Sequence, residues 1–484
     1  MYETVIGLEI HAQLLTKTKL FCGCGTSFGS APNSLTCPVC LGLPGALPVL
    51  NREAVMMALK LALAIKANIN VRSIFSRKNY FYPDLPKGYQ ITQYHAPIAR
   101  GGAVEIETGG QTKTVGIERI NLEEDAGKSI HDGMPDSDQR TYLDFNRSGV
   151  PLLEIVGKPE LSCPAEAVEF LQLFRTILQH LEICDGNMEE GNLRCDANLS
   201  VRKQGDSGMG VKTEVKNLNS FRFLHKALDY EAHRQMELLD QGLRVRQETR
   251  LWDAAQNKTL PLRSKEEAHD YRYFPEPDLP PLVISEEMAE RARADLPELP
   301  QAKVDRFIKE YQIPRCDAKV LTATKALASY FEETARASRN PKQASNWVRR
   351  EVLGVLNESN SEIGRFPIPP QNLAELIGLI EKKEITLTVA KESIFPEMLR
   401  SGQSAPQIIR DLGLAGIQDE EKVRQSVAAI VKRNPGPARQ YQEGKFQVLG
   451  FLVGLAMKEM GGAADARLVQ KILKETLDSL ERKT

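Results

Sequence analysis

The sequence predicts an α+β fold, with a sheet-rich N-terminal region followed by helices alone. Three observations predict it. Period-two alternation recurs through the first part of the chain, prolines crowd the stretch just before and after residue 290, and helical periodicity takes over beyond. With 484 residues, 42% hydrophobic and 26% charged, the chain has apolar material for several cores, and domains of about 100–200 residues would number two to four. Lysine and arginine total 63 against 64 acidic residues, so no global basic excess exists and any nucleic-acid contact has to be local.

In chain order, Leu8, Ile10, Ala12 and Leu14 share one face of a first strand, and Glu9, His11 and Gln13 share the other. Asn51 is placed to cap a helix over 51–66, apolar nearly all round and therefore buried. The longest apolar-rich stretch, 54–65, is broken by Lys60 and is too short to span a membrane. The opening Met1-Tyr2-Glu3-Thr4 has no signal-peptide character, so a cytoplasmic chain with no membrane partner is expected. Pro164 belongs in the first turn of a helix reaching about Leu181, with Ser162 as the candidate cap. Leu193, Cys195, Ala197, Leu199 and Val201 form one face of another strand, opposite Arg194, Asp196, Asn198, Ser200 and Arg202. Lys212, Glu214 and Lys216 share a face of the next. Such strands suit an antiparallel sheet with one face on a core and one open. Pro275, Pro277, Pro280, Pro281, Pro297 and Pro300 then mark a boundary, because proline lacks a backbone donor and resists regular structure. Helices are expected over 318–338, 342–356 and 371–382, and helical patterns in the tail are split by Asn434-Pro435-Gly436-Pro437. The expected domains are 1–290, 291–405 and 406–484.

Eight cysteines are too sparse for a disulfide scaffold. Four of them cluster as Cys22-x-Cys24 and Cys37-x-x-Cys40, flanked by Gly23, Gly25, Pro38 and Gly42. Two close pairs on two turns are how a chain closes a tetrahedral thiolate zinc site, and four thiolates leave no open position for catalysis. The alternative is four ordinary thiols in a loop. On the open sheet face, Glu9 and His11, with Asp196 and Glu214, could gather a hard cation such as magnesium, although a solvated face normally carries charges too. Gly127-Lys128-Ser129 is not a phosphate loop, since Leu122 stands where the pattern needs glycine. Aromatics interleave with basic groups in the stretch from Lys78 to Gln90, and again from Asp270 to Asp278. Both could stack on a base and grip phosphate, or simply form partly buried loops. Residues 431–484 carry ten basic against six acidic residues, a mild excess open to a nucleic-acid backbone or to solvent.

Longer strings go beyond patterns. They are Glu3-Thr-Val-Ile-Gly-Leu-Glu-Ile-His11, Arg77-Lys-Asn-Tyr-Phe-Tyr-Pro-Asp-Leu-Pro-Lys-Gly-Tyr-Gln-Ile91, Leu122-Glu-Glu-Asp-Ala-Gly-Lys-Ser129, Asp144-Phe-Asn-Arg-Ser-Gly-Val-Pro-Leu-Leu-Glu-Ile-Val156, Met188-Glu-Glu-Gly-Asn-Leu-Arg-Cys-Asp-Ala-Asn198, Glu214-Val-Lys-Asn-Leu-Asn-Ser220 and Asp270-Tyr-Arg-Tyr-Phe-Pro-Glu-Pro-Asp278. Together they resemble the B subunits of the bacterial glutamyl/aspartyl-tRNA amidotransferases, along the whole chain. The resemblance implies a glutamine-synthetase-like cradle, a helical domain and a tRNA-contacting helical tail. It implies an enzyme subunit that phosphorylates the side-chain carboxylate of misacylated Glu-tRNA(Gln) or Asp-tRNA(Asn) with ATP. Ammonia, delivered from glutamine by an amidase A subunit, then displaces the phosphate. A small C subunit joins A and B, and a glutamyl- or aspartyl-tRNA synthetase is a further partner it allows. ATP, magnesium and structural zinc are the implied cofactors. Carried over by position, Glu9, His11, Glu124 and Glu214 resemble magnesium ligands, with Glu190 and Asp196 as neighbours, and these four with Lys78 form the implied catalytic set. Lys78, Tyr80, Asp84 and Lys87 resemble residues around the nucleotide and the tRNA end, and Cys22, Cys24, Cys37 and Cys40 the zinc site. Lys432, Arg433, Arg439 and Lys445 are the expected tRNA contacts. Two alternatives stay open: a non-catalytic tRNA-binding subunit, and a glutamine-synthetase-like ligase for free amino acids.

Overall fold

The computed structural model describes residues 2–131, 133–136, 138–206, 208–264, 270–412, 420–460 and 466–481. Two compact units emerge, Met1–Pro300 and Gln301–Thr484. The first is built on a ten-stranded sheet. Its order is Lys258–Ser264, Glu248–Asp253, Thr213–Lys216, Leu193–Lys203, Tyr2–Gln13, Pro151–Gly157, Gln111–Glu124, Ala99–Arg100 and Asn68–Ile69, with Ala103–Thr108 also paired to Gln111–Glu124. The N-terminal strand therefore lies near the centre. Its Ile6, Leu8, Ile10 and Ala12 are buried, as are Leu193, Cys195, Ala197 and Leu199 of the neighbouring strand. Both strands alternate as the sequence predicts.

The sheet is mixed, where the sequence reading expects it to be antiparallel. Thr213–Lys216 and Glu248–Asp253 run parallel, in contrast to the other pairings. The reason is the segment between them. A parallel neighbour needs a crossover, and the helix Phe221–Asp240 supplies it, capped by Ser220, whose hydroxyl accepts from the Phe223 N–H at 3.1 Å. That helix and Pro164–His180 pack against the apolar side of the sheet. Arg52–Ala64 is capped as expected, Asn51 Oδ1 accepting from Glu53 N at 2.9 Å. For Pro164–His180 the cap position falls on Cys163, and Ser162 instead bonds through its N–H and hydroxyl to Glu166 Oε2.

A separate three-stranded sheet, Phe274–Pro275, Phe75–Asn79 and Tyr89–Gln93, carries the aromatic and basic stretches. Gly127-Lys128-Ser129 leads into a short hairpin, Lys128–Ile130 with Tyr142–Asp144. The helix Glu286–Ala294 still belongs to the first core, through Ala292.

In the second unit one core runs from Val304 to Ile409 and another from Val423 to Leu477. The helix expected over 318–338 is two, Arg315–Leu321 and Lys325–Ser338, because Thr322 ends the first and Thr324 caps the second, its hydroxyl accepting from Leu327 N at 3.1 Å. The boundary expected at 405 falls at the start of the helix Ala405–Asp411, whose Ile408 and Ile409 lie in the earlier core. Glu420–Arg433, Pro435–Gln442, Val448–Glu459 and Ala466–Glu481 follow. No helix among the described residues is long and apolar enough to cross a membrane.

Candidate active site on the open sheet face

The side of the large sheet away from the helices is polar, and pairing register decides which side chains meet there. His11 stands opposite Glu154 on one neighbour and Arg194 on the other, Glu9 stands opposite Asp196, and Glu154 stands opposite Asn121. Residues directly opposite across a pair share a face, so four strands converge on one spot. Ligand atoms of Glu9, His11 and Glu154 all lie within 4.8 Å of one another. His11 Nε2 is 3.6 Å from Glu9 Oε1 and 3.8 Å from Glu123 Oε1.

The electrostatics are those of carboxylates crowded together under partial burial. Burial, then Glu154 and Asp196, pushes the Glu9 carboxyl up to about 7. Burial, then Glu154, pushes Glu123 up to about 8. Burial also lowers His11, which leaves it a neutral imidazole with a lone pair to donate. Asn121 donates to Glu154, yet its own Oδ1 is buried without a hydrogen-bond partner. An orphaned oxygen beside crowded carboxylates is the donor set a hard divalent cation prefers.

Cations frame the group. Burial alone would depress Lys78, but Glu123, Tyr273, Tyr271 and Glu154 together outweigh it, and the ammonium is held above its usual value. Lys78 Nζ lies 5.0 Å from the centre of the Tyr271 ring. Asp125 accepts from Arg194 at 2.5 Å and from Gln13 at 2.8 Å, with Arg147 at 3.7 Å. Lys216 pairs with Asp196 and lies 3.4 Å from Glu214.

The residues singled out in the sequence therefore separate. Glu9 and His11 meet. Glu124 does not join them. Alternation along its strand turns it to the opposite face, where it is buried, bonded to Lys87 and accepting from Ile91 N at 2.8 Å, and Glu123 faces His11 instead. Glu214 shares the polar face two strands away, accepting from Thr249 at 2.7 Å. Lys78 borders the cluster through Glu123. Tyr80 packs edge-on to Tyr271 at 5.9 Å. The Asp84 carbonyl accepts from Gly127 N at 2.8 Å, anchoring its loop. Glu190 is exposed and accepts from Asn192 at 3.1 Å. Glu154, Glu123 and Asn121 went unpredicted. A lone glutamate inside Pro151-Leu-Leu-Glu-Ile-Val156 was the available signal, since a buried strand carries a charge only for a reason.

The sulfur atoms of Cys22, Cys24, Cys37 and Cys40 also lie within 4.8 Å of one another. A zinc–sulfur bond of about 2.3 Å would set tetrahedral sulfurs about 3.8 Å apart, so the four fit that ion. Hydrogen bonding from Cys22 pulls the Cys40 thiol down to about 4, against its burial. Cys37 N donates to Cys40 Sγ at 3.2 Å, and Lys19 Nζ donates to the same sulfur at 3.6 Å. The loop presses on the Lys87 segment at Gly42, whose φ is +68° and where a Cβ would overlap the Lys87 side chain. Among the expected tRNA contacts, Lys432, Arg439 and Lys445 are exposed, while Arg433 pairs with Glu459.

The catalytic-domain family described as GatB/GatE matches residues 4–290, and a second family, the GatB domain, matches residues 329–477. The chain is similar to the aspartyl/glutamyl-tRNA(Asn/Gln) amidotransferase B subunit of Thermodesulfovibrio yellowstonii, 50% identical over 98% of this chain and 100% of the relative. It is equally similar to the proteins of that name from Carboxydothermus hydrogenoformans and Chlorobium phaeobacteroides, each 50% identical over 99% of both chains.

Proposed function

The chain belongs to the GatB/GatE family, and from that premise we propose that its open sheet face moves the γ-phosphoryl group of ATP onto the side-chain carboxylate of a misacylated tRNA. It is a B-type subunit of an aspartyl/glutamyl-tRNA amidotransferase, a glutamine-hydrolysing ligase. The observation that carries the kinase reading is the convergence of Glu9, His11 and Glu154, with Lys78 alongside.

Ammonia does not attack an ionised carboxylate, because attack would add negative charge to an anion. In the proposed sequence, a carboxylate oxygen attacks the γ-phosphorus and ADP departs. Ammonia then attacks the acyl carbon, loses a proton, and phosphate departs, leaving Gln-tRNA(Gln) or Asn-tRNA(Asn). Glu9, His11 and Glu154 would hold magnesium, which when bound neutralises phosphate charge. Lys78 contributes a fixed positive charge to the phosphoryl oxygens, and Asp125 orients Arg194 for the same end. Tyr80, Asp84 and Lys87 border the nucleotide and the tRNA end. Zinc on the four cysteines stiffens the loop that leans on Lys87. The open, carboxylate-lined sheet supports the glutamine-synthetase-like description. An amidase A subunit and a small C subunit complete the assembly, the tail contacts tRNA through Lys432, Arg439 and Lys445, and the work is cytoplasmic.

The test is ATP cleavage by the assembled complex. Cleavage stimulated by Glu-tRNA but not by free glutamate, and lost about 100-fold or more in Glu154→Gln while tRNA still binds, is the expected result. Cleavage persisting in Glu154→Gln would refute the assignment.

A further inference from the structure

The tyrosines at the margin of the cluster have no part in the phosphoryl chemistry. Tyr94 follows the strand Tyr89–Gln93 and Tyr273 precedes Phe274–Pro275, so they rise from the two outer strands of a small sheet whose middle strand carries Lys78. Their rings lie 4.0 Å apart at an interplanar angle of 4°. Tyr271 meets Tyr273 edge-on at 5.9 Å, and Lys78 Nζ lies over Tyr271. Ring contact thus runs from Tyr94 through Tyr273 and Tyr271 to Lys78, and both Lys78 and Tyr273 lie within electrostatic reach of Glu123 and Glu154.

Two features set this stack apart from ordinary core packing. Tyr94 is 48% exposed, an aromatic ring half open to solvent although His95 meets it edge-on at 4.7 Å. The backbone that presents Tyr271 and Tyr273 is strained at Arg272, which has a φ of +44° and is braced by Asp270 Oδ1 accepting its N–H at 3.1 Å. Non-glycine residues hold such angles where surrounding structure demands a particular placement. A parallel aromatic pair with one open side is a platform for another flat ring, and stacking on tyrosine is how proteins grip an unpaired base.

We infer that the Tyr94–Tyr273 stack seats an adenine base of a substrate and so sets how far the reacting group reaches toward Glu9, His11 and Glu154. This rests on the reading above. Both substrates bring that base: ATP carries an adenine, and the aminoacylated end of every tRNA is an adenosine.

The assembled amidotransferase with Tyr94→Ala is compared with wild type for the KM of Glu-tRNA and of ATP. Binding is read separately from the fluorescence of aminopurine, placed either at the terminus of the tRNA or in the nucleoside triphosphate. The expected result is a KM raised about tenfold for whichever substrate supplies the base, with kcat falling less than KM rises. That substrate's probe alone is quenched by wild type, and Tyr94→Phe, which keeps the ring, restores both readouts. Tyr273→Leu gives the same split. If neither KM moves and both probes stay bright on wild type, the inference is overturned and the parent reading stands. If wild type forms no amide from Glu-tRNA and ATP, the parent reading falls and this one with it.

Discussion

Glu9 and Glu123 show what a crowd of carboxylates does to a fold. Both hold their protons more tightly than they would in an unfolded chain, up to about 7 and about 8. Their contribution therefore favours the folded state at low pH and is lost as pH rises through that window. Metal-free protein is expected to melt at a lower temperature at pH 8 than at pH 6, with added magnesium closing the gap. Equal melting temperatures without metal would contradict it. Asp125 works the other way. Burial would raise it, but Arg194 and Arg147 hold it below the ordinary value of 3.8. Its stabilisation is present above that value and fades as pH falls through the depressed one. Asp125→Asn takes the charged partner from half-buried Arg194 and should cost about 2 kcal/mol in urea denaturation at neutral pH, with the difference shrinking in acid.

At the scale of elements, the cysteine loop and the tail carry separate expectations. Gly42→Ala forces a side chain into left-handed backbone and onto Lys87, which should destabilise the loop by about 1–2 kcal/mol, read as faster local amide exchange. Replacing Lys432, Arg439 and Lys445 by glutamine should weaken tRNA binding and lower its salt slope by about one for each phosphate no longer gripped. An unchanged slope would remove the tail from the tRNA interface. Much of the architecture behind these expectations was legible. The strands Tyr2–Gln13 and Leu193–Lys203 bury one face, so their alternation is local, and Asn51 announced its helix. What escaped depends on distant partners. The parallel pairing of Thr213–Lys216 lies in a crossover, and Glu154 and Asn121 enter the site only through register between strands over a hundred residues from His11. Adjacent glutamates misled in the same way: Glu123 and Glu124 look alike in sequence, and only the pleat separates the one facing His11 from the one bonded to Lys87.

For the whole molecule, the division of labour predicts that this chain alone makes amide from Glu-tRNA, ATP and ammonium salts but not from glutamine. Product formed with glutamine by the purified single chain would overturn the need for an amidase partner. The central position of the first strand has another consequence, for synthesis. Its first neighbour is Pro151–Gly157, Glu9 pairing with Val156, so more than a hundred and fifty residues must leave the ribosome before the opening segment finds a partner. At about 5–20 residues per second that is roughly 8–30 s during which a sticky apolar edge stays naked, a window in which chaperones guard such edges.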